Sequence, residues 1–569
     1  MNLFHKRGTE PPTSPWNRIK WHEATERVRR MQTRLVKALE RGNLGQAKKL
    51  QRLLVHSTAA KLLAVRQVVS NRGKKTPGID GMVWKTPQAK YQAAMNLIPH
   101  GYHALPLRRV YIPKANGKRR KLGIPTMHDR AMQALYALAL VPVAETLADP
   151  NSYGFRKERS VADAMAQCFC VLAKRNQAVW ILEGDIHACF DEISHEWVLE
   201  HVPLPHQVLE KWLKSGVLDG GTLEETTEGT PQGGIISPVI ANLVLDGLET
   251  VLNDAFAQTR QARYAHKVYL IRYADDFIIT GESKALLEEE VRPLVNDFLT
   301  ERGLTLSPSK TRIVHIQEGF EFLGFHLRKY KEKLLITPSK KSVKHILTKI
   351  RELIKHAWSW STARLIDELN RVIRGWANVY RHVVSKETFS KIDSDIRMRL
   401  WRWARRRHGT RSAAWRRTRY FTTDNGRWGF RDPKTGKTLL TMTSVPIRRH
   451  VKIRSEVNPY DPQWEVYLEQ RQQRRMPWAA GNTTRYTLWK RQDGTCRWCG
   501  GNLRLDIEAP ETFHVHHRVW TCHGGSEALK NKQLLHDVCH RQLHAVYDST
   551  GAGTGQVTDL TFDGLSRVR

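Results

Sequence analysis

A chain of 569 residues is longer than one hydrophobic core sustains, and a prior of roughly 150 residues per domain divides it into three or four. Hydrophobic residues make up 40% of it and charged residues 26%, which excludes wholesale disorder, while 92 Lys and Arg against 56 Asp and Glu leave a formal charge of +36 that calls for a polyanionic partner, RNA or DNA. No run of about 18 apolar residues occurs and Met1 to Lys20 lacks the apolar stretch of a secretory signal, so a soluble, intracellular protein with no membrane partner is expected.

From Trp21 to Ser70 the pattern is helical and basic. Val28, Met31, Leu35, Val36 and Leu39 recur at helical spacing, and a Gly42-Asn43 break precedes a second run from Leu50 to Val69. Between Gly101 and Ile336, short apolar runs such as Val179 to Leu182 and Phe277 to Thr280 alternate with helical stretches, the mark of an α+β region. From Pro338 to Trp403 helical periodicity returns, with Leu365, Leu369, Val372, Trp376 and Val379 predicted on one face and Arg364, Arg371, Arg374 and Arg381 on another. Trp401 to Tyr420 holds eight Arg, three Trp and one Tyr with no acid, a mixture of cations and flat rings suited to phosphates and stacked bases. Pro, Gln, Arg and Gly around Asn458 to Pro462 and Arg471 to Thr484 then predict a boundary before a C-terminal cysteine cluster.

The strongest chemical signal is Tyr273-Ala274-Asp275-Asp276-Phe277, adjacent carboxylates between two apolar strands. Like charges so close repel, a cost best offset by a divalent cation. Another apolar run ends in Glu183-Gly184-Asp185. If the strands are neighbours, Asp185 and Asp275 converge as the principal ligands, with Asp276 auxiliary, in the arrangement that two-metal phosphoryl transfer requires. Oxygen-only ligation near phosphates implies Mg²⁺.

The flanking blocks carry a resemblance. Arg109 to Lys118 (RVYIPKANGK), Leu122 to Thr126, Asp129-Arg130, Ser152 to Arg156 (SYGFR), Asp185 to Asp191, Thr230 to Gly234 (TPQGG), the YADDF block, Lys310-Thr311 and Phe322 to Phe325 together resemble the fingers and palm of group II intron reverse transcriptases. Lys75 to Gly81 resembles that family's N-terminal extension and Leu365 to His382 its thumb, domain X. The resemblance implies Lys114 and Arg120 over the incoming deoxynucleoside triphosphate, Phe190 as a steric gate against a ribose 2′-hydroxyl, Gln232 and Gly233 close to the nascent pair, and Lys310 as a proton donor to departing pyrophosphate.

Of seven cysteines, Cys496, Cys499, Cys522 and Cys539 crowd the C-terminal end. Cys496 with Cys499, and His536 with Cys539, form two knuckles for a structural Zn²⁺, with Cys522 competing with His536 for the fourth place. The neighbouring residues resemble the HNH endonuclease that this family carries. That likeness implies His517 as general base, His516, His540 and His544 around one further divalent metal, Mg²⁺ by preference, and Asn531 pinning the loop that orients His517.

The expected architecture is therefore multidomain α+β: a helical N-terminal extension (1–100), right-hand polymerase fingers and palm (101–336), a helical thumb (337–415), a basic DNA-binding region and linker (416–480), and a small zinc-containing ββα-metal HNH domain (481–569). The family resemblance implies an RNA-directed DNA polymerase that copies group II intron RNA by target-primed reverse transcription, helps that RNA splice, and cuts target DNA to support retrohoming, in the bacterial cytoplasm or nucleoid.

Overall fold

The computed structural model describes residues 14–113, 119–424, 427–479, 483–503, 513–521 and 524–550. The basic lead-in folds as three helices, α1 (Trp21–Glu40), α2 (Leu44–His56) and α3 (Thr58–Ser70). Asn43 makes the predicted break by accepting the Gln46 amide at 2.9 Å as an N-cap. The second predicted run is interrupted where Ser57 takes an extended backbone, so that Leu54 on α2 and Ala60, Ala64 and Val65 on α3 all reach one core.

The fingers begin with a hairpin, β1 (Leu107–Pro113) and β2 (Arg119–Ile124), followed by the long buried helix α4 (Met127–Leu147) and by α5 (Val161–Leu172). The palm is a four-stranded antiparallel sheet of β3 (Trp180–Asp185), β4 (Tyr269–Tyr273), β5 (Asp276–Gly281) and β6 (Arg312–His315), ordered β4-β5-β3-β6. Side chains alternate across a strand. Leu182, Leu270, Phe277 and Ile279 accordingly enter a core shared with α1 to α4, whereas Ile181, Ile271 and Ile278 enter a second core shared with the thumb. Covering both faces explains why these strands read as continuous apolar runs.

The thumb comprises α6 (Lys340–His356), α7 (Thr362–Tyr380) and α8 (Lys386–Arg407). On α7 the buried stripe runs through Leu365, Ile366, Leu369, Ile373, Ala377 and Tyr380, so the predicted face is rotated: Val379 is exposed, and Val372 and Trp376 lie at its margin. A second departure lies in the predicted linker. Phe430, Leu439, Met442, Val445, Ile453 and Val457 are buried in the thumb's own core, so much of 416–480 is packed structure.

That segment also ties the thumb to the palm. Asp163 on α5 is fully buried and its Oδ1 accepts from His450 Nε2, Ile453 N and Arg471 Nη2, each at 2.8 Å, while Oδ2 accepts from Ser160 Oγ at 2.6 Å. Farther along, Thr33 of α1 donates to the Tyr460 carbonyl at 3.2 Å and Arg29 pairs with Glu465 at 2.5 Å. The C-terminal module has its own core around Trp498, Phe513, Leu534, Leu535 and Leu543, and docks on the N-terminal region where Gln542 donates to the carbonyls of Asn17 and Ile19.

Burial alone would raise the Asp163 pKa, but the hydrogen bond and charge of His450, with Arg471 beyond, outweigh it and hold the carboxyl well below the usual range. A depressed folded pKa contributes stability in full above the unfolded value of about 3.9 and loses it progressively as pH falls from there through the lower folded pKa. Asp163→Ala, which leaves Arg471 buried without this partner, is expected to lose about 3–5 kcal/mol near pH 7, read as a lowered urea midpoint, and the gap to the wild-type protein should close as pH drops below about 4.

Candidate functional site

Two strands meet across a tight turn at one end of the palm sheet. β4 stops at Tyr273 and β5 starts at Asp276, leaving Ala274 and Asp275 as the turn, with Ala274 in the left-handed region at φ 57°. That conformation costs a non-glycine residue about 1 kcal/mol. The register sets Asp276 directly across from Asp185 on β3, and directly opposed residues share a face of the sheet. Asp276 is therefore the immediate neighbour of Asp185, and Asp275 stands at the apex of the turn beside them. Its charge is felt past the end of β3, where burial and then Asp275 push the Cys189 thiol up to about 12.

Burial at the turn, with the charges of Asp275 and Asp185 added, pushes Asp276 up to about 6, and Lys310 works against the shift. Lys310 Nζ donates to Asp185 Oδ1 at 2.7 Å, so this cation sits on a carboxylate rather than apart from it. Three hard oxygen donors whose mutual repulsion is only partly relieved form a set that fits Mg²⁺.

The predicted nucleotide contacts lie on several elements. Phe190 is half-buried against the palm core, and its carbonyl accepts the Thr230 amide at 2.6 Å. Gln232 Nε2 lies 3.4 Å from both carboxylate oxygens of Asp191. Gly233, at φ 124°, makes its closest approach to protein backbone: a Cβ there would lie 2.7 Å from the Gly123 carbonyl, and Gly123 N donates to the Gln232 carbonyl at 2.9 Å. The TPQGG loop is thus fastened between the Phe190 turn and the fingers. Arg120 is exposed on β2, and Lys114 lies outside the described residues.

The C-terminal module is a ββα unit of β7 (Phe513–His517), β8 (Lys532–His536) and α9 (Asp537–Thr550). Cys496, Cys499, His536 and Cys539 bring ligand atoms within 4.8 Å of one another. His536 Nε2 faces the Asn502 carbonyl at 3.1 Å, which leaves Nδ1, 3.4 Å from Cys499 Sγ and 3.7 Å from Cys539 Sγ, as the inward atom. Three sulfurs and one nitrogen suit tetrahedral Zn²⁺, and His536 stands with the three cysteines among the described residues; Cys522 lies outside them.

His516, His540 and His544 form a second group within the same 4.8 Å limit, with Nε2 atoms of His540 and His544 3.2 Å apart. Burial, with His540 and His544 adding positive charge, pushes His516 down to about 3, so at neutral pH it offers a lone pair. His517, next along the strand, has Nε2 3.2 Å from Glu527 Oε1. Asn531 grips the loop that follows: its Oδ1 accepts from Val519 N at 2.8 Å, and its Nδ2 donates to the carbonyls of Val519 at 2.9 Å and Ser526 at 2.8 Å. Sequence reasoning missed His514, whose Nδ1 is 3.2 Å from His540 Nδ1 and 3.6 Å from Asp537 Oδ1. Strand alternation, which sets 514 and 516 on one face, was the available signal.

Comparisons with known proteins follow this layout. The reverse transcriptase (RNA-dependent DNA polymerase) family model matches residues 112–327, the N-terminal domain of reverse transcriptase matches 16–97, and the group II intron maturase-specific domain matches 343–421. Protein YkfC of Escherichia coli K12 is 34% identical over 320 residues, covering 49% of this chain and 83% of its own. Group II intron-encoded protein LtrA of Lactococcus lactis subsp. cremoris is 29% identical over 331 residues, 47% of this chain and 54% of LtrA. The chain belongs to the group II intron-encoded reverse transcriptase and maturase family. It also resembles a 91 kDa protein in the cob intron of Schizosaccharomyces pombe, at 26% identity over 58% of this chain and 50% of that one, so it spans about half the length of the latter two relatives.

Within the maturase-specific segment the Trp/Arg mixture divides its labour. Trp403 and Tyr420 are buried, Trp403 edge-on to Tyr420 and Phe430 and Tyr420 stacked on Phe430, so these rings build core. Arg402, Arg405, Arg406, Arg411 and Arg417 stay exposed, and Arg411 lies over the Trp415 ring at 5.5 Å. The guanidinium rows of this reverse transcriptase are thus open to solvent, whereas the Trp403 and Tyr420 rings are not.

Cys496→Ser combined with Cys539→Ser is expected to abolish retention of zinc, which the intact protein should keep at about one equivalent through dialysis, measured by elemental analysis; equal zinc in both would place the metal elsewhere.

Proposed function

We propose that this protein is an RNA-directed DNA polymerase that copies a group II intron RNA by target-primed reverse transcription, assists that RNA in splicing, and cuts target DNA through an HNH-type module. The observation that carries the polymerase reading is the convergence of Asp185, Asp275 and Asp276 from two chain segments at one end of the palm sheet.

In this reading the three carboxylates hold the divalent cations, with Asp185 and Asp275 as main ligands and Asp276 in support. Bound Mg²⁺ supplies neutralisation of the triphosphate and of the primer 3′-oxygen. The chain's own residues do the rest. Arg120, with Lys114, would serve the triphosphate, and Phe190 would close the space that a 2′-hydroxyl needs. Gln232 and Gly233 shape the floor under the nascent pair. Lys310, already on Asp185, swings from carboxylate to pyrophosphate and gives up a proton as that group leaves.

The C-terminal module supplies the primer. His517 would take the proton of the attacking water, His516, His540 and His544 would hold a divalent metal that neutralises charge at the scissile phosphate, and Asn531 keeps the loop after His517 in register; the tight Asn531 clasp supports this assignment. Cys496, Cys499, His536 and Cys539 hold the structural Zn²⁺. The exposed arginines of the thumb bind structured intron RNA, which makes the working form a ribonucleoprotein in the bacterial cytoplasm.

Primer extension on an RNA template with Mg²⁺ and deoxynucleotides tests the first activity. Asp275→Ala should fall below about one hundredth of wild-type synthesis while RNA affinity changes less than about twofold. No synthesis by the intact protein, together with tight RNA binding, would reduce the reading to splicing alone. For the second activity, His517→Ala should stop strand cutting on duplex target DNA and leave primer extension unchanged; undiminished cutting would move the general base to another residue.

A further inference from the structure

Beneath the carboxylate turn lies a polar network that the chemistry above does not use. Arg272, three positions before Asp275 in β4, has 0% of its surface exposed. Its guanidinium reaches in two directions. Nη2 pairs with Asp246, and Nη1 lies 3.3 Å from Asn242 Oδ1 and 3.5 Å from the carbonyl oxygen of Ala274 in the turn itself. Asn242 passes the connection on by donating from Nδ2 to the Gly154 carbonyl at 2.9 Å.

Gly154 closes the loop of contacts. A Cβ at that position would lie 2.4 Å from Ala274 N, a backbone atom that cannot step aside. The residues before it are fastened to the same strand, with Arg272 N donating to the Asn151 carbonyl at 3.0 Å and Tyr153 N donating to the Arg272 carbonyl at 2.9 Å. The SYGFR block therefore presses on the turn from below, while the guanidinium ties its Ala274 to the helix Ser237–Leu245 and to Asp246 just past the end of that helix.

Stability alone does not account for a buried cation here. An apolar residue of similar volume commonly replaces a buried ion pair without loss, and the neighbouring strand residues are already apolar. What a forked guanidinium adds is direction: several donors fixed in one plane, aimed at defined acceptors. The acceptor it reaches beside Asp275 belongs to a residue in a conformation that needs outside support, since Ala274 holds φ 57°.

We propose that Arg272, with Asn242 and Asp246, is a positioning set for the Asp275-Asp276 turn, fixing its two carboxylates at the separation from Asp185 that a shared divalent cation requires. Arg272 touches neither substrate nor metal. The proposal rests on the reading of Asp185, Asp275 and Asp276 as metal ligands.

Full-length protein carrying Arg272→Met with Asp246→Leu removes both charges of the pair together, so that neither is left buried without its counter-charge, while Asn242 Oδ1, the Ala274 carbonyl and the Asp149 amide each lose one partner. Mn²⁺ serves as the probe: its binding to protein without nucleotide is followed by electron paramagnetic resonance, beside thermal melting and the Mg²⁺ dependence of primer extension. The expected result is a melting temperature within a few degrees of wild type, Mn²⁺ affinity weakened about 10–100-fold, and the Mg²⁺ concentration for half-maximal synthesis raised to a similar degree. Wild-type Mn²⁺ affinity and Mg²⁺ dependence in a folded double variant would overturn the proposal and leave Arg272 as core filling. Should that variant fail to fold, Asn242→Ala, which cuts the link to Gly154 and keeps the ion pair, decides by the same two metal readouts. The underlying site reading fails separately, if Asp275→Ala binds Mn²⁺ as wild type does.

Discussion

The antiparallel register of β3 against β5 puts one carboxylate directly across from another, and the rest of the palm is organised around tolerating that. Asp185 and Asp276 on opposed positions, with Asp275 at the apex of the β4-β5 turn, would drive the ends of β3 and β5 apart if those strands stood alone. They do not part here because the sheet is clamped on both faces, by the core shared with the N-terminal helices on one side and the core shared with the thumb on the other. The apolar mass of three regions is thus committed to holding a few acids together. Lys310 on Asp185 relieves part of the repulsion.

The same logic explains why so basic a chain keeps acids where it does. A charge of +36 spread over the surface attracts a polyanion without discrimination, and a compact negative centre within that field is where a metal, rather than another phosphate, is preferred. Holding palm and thumb in fixed relation then matters as much as the site itself. Asp163 performs that task with donors from Ser160, the 450–453 stretch and Arg471, so a segment beyond the maturase-specific match becomes part of the polymerase frame.

Much of this was legible from local sequence, and the exceptions share a cause. The YADDF block and the apolar strands beside it announce themselves because adjacent acids between apolar runs are costly and rare; the strand bounds, the N-terminal helices and the Cys/His groups follow from patterns only a few residues long. Val379 was misplaced because spacing gives the period of a helix but not the partner that fixes its phase, and here the long α6 and α8 neighbours rotate the buried stripe to Ile366, Ile373 and Ala377. The composition of 416–480 reads as linker since its apolar residues are sparse and aperiodic, yet Phe430, Leu439, Met442, Val445, Ile453 and Val457 fit into a core shared with distant parts of the chain. The role of Gly233 depended on Gly123, more than a hundred residues away, and Arg272 reads as one more arginine in a chain rich in them. Which ring nitrogen of His536 faces the cysteines could be read only once its Nε2 was seen beside the Asn502 carbonyl.

The two regions solve the problem of holding ligands still by opposite means, and size decides which. In the palm, carboxylates ride on strands whose geometry is enforced by two extensive cores, so no covalent or metal staple is needed. The C-terminal module has a far smaller core, and domains of that size seldom hold a precise site by packing alone. Its solution is economical in sequence: His536 ends β8, Cys539 opens the first turn of α9, and His540 and His544 follow on that same helix. The cluster that fits zinc therefore fixes the start of the helix that presents the histidines, and the Asp537-His514 pair braces His540 from the other side. Order in the second cluster depends on the first, whereas the palm carboxylates depend on cores assembled from distant parts of the chain.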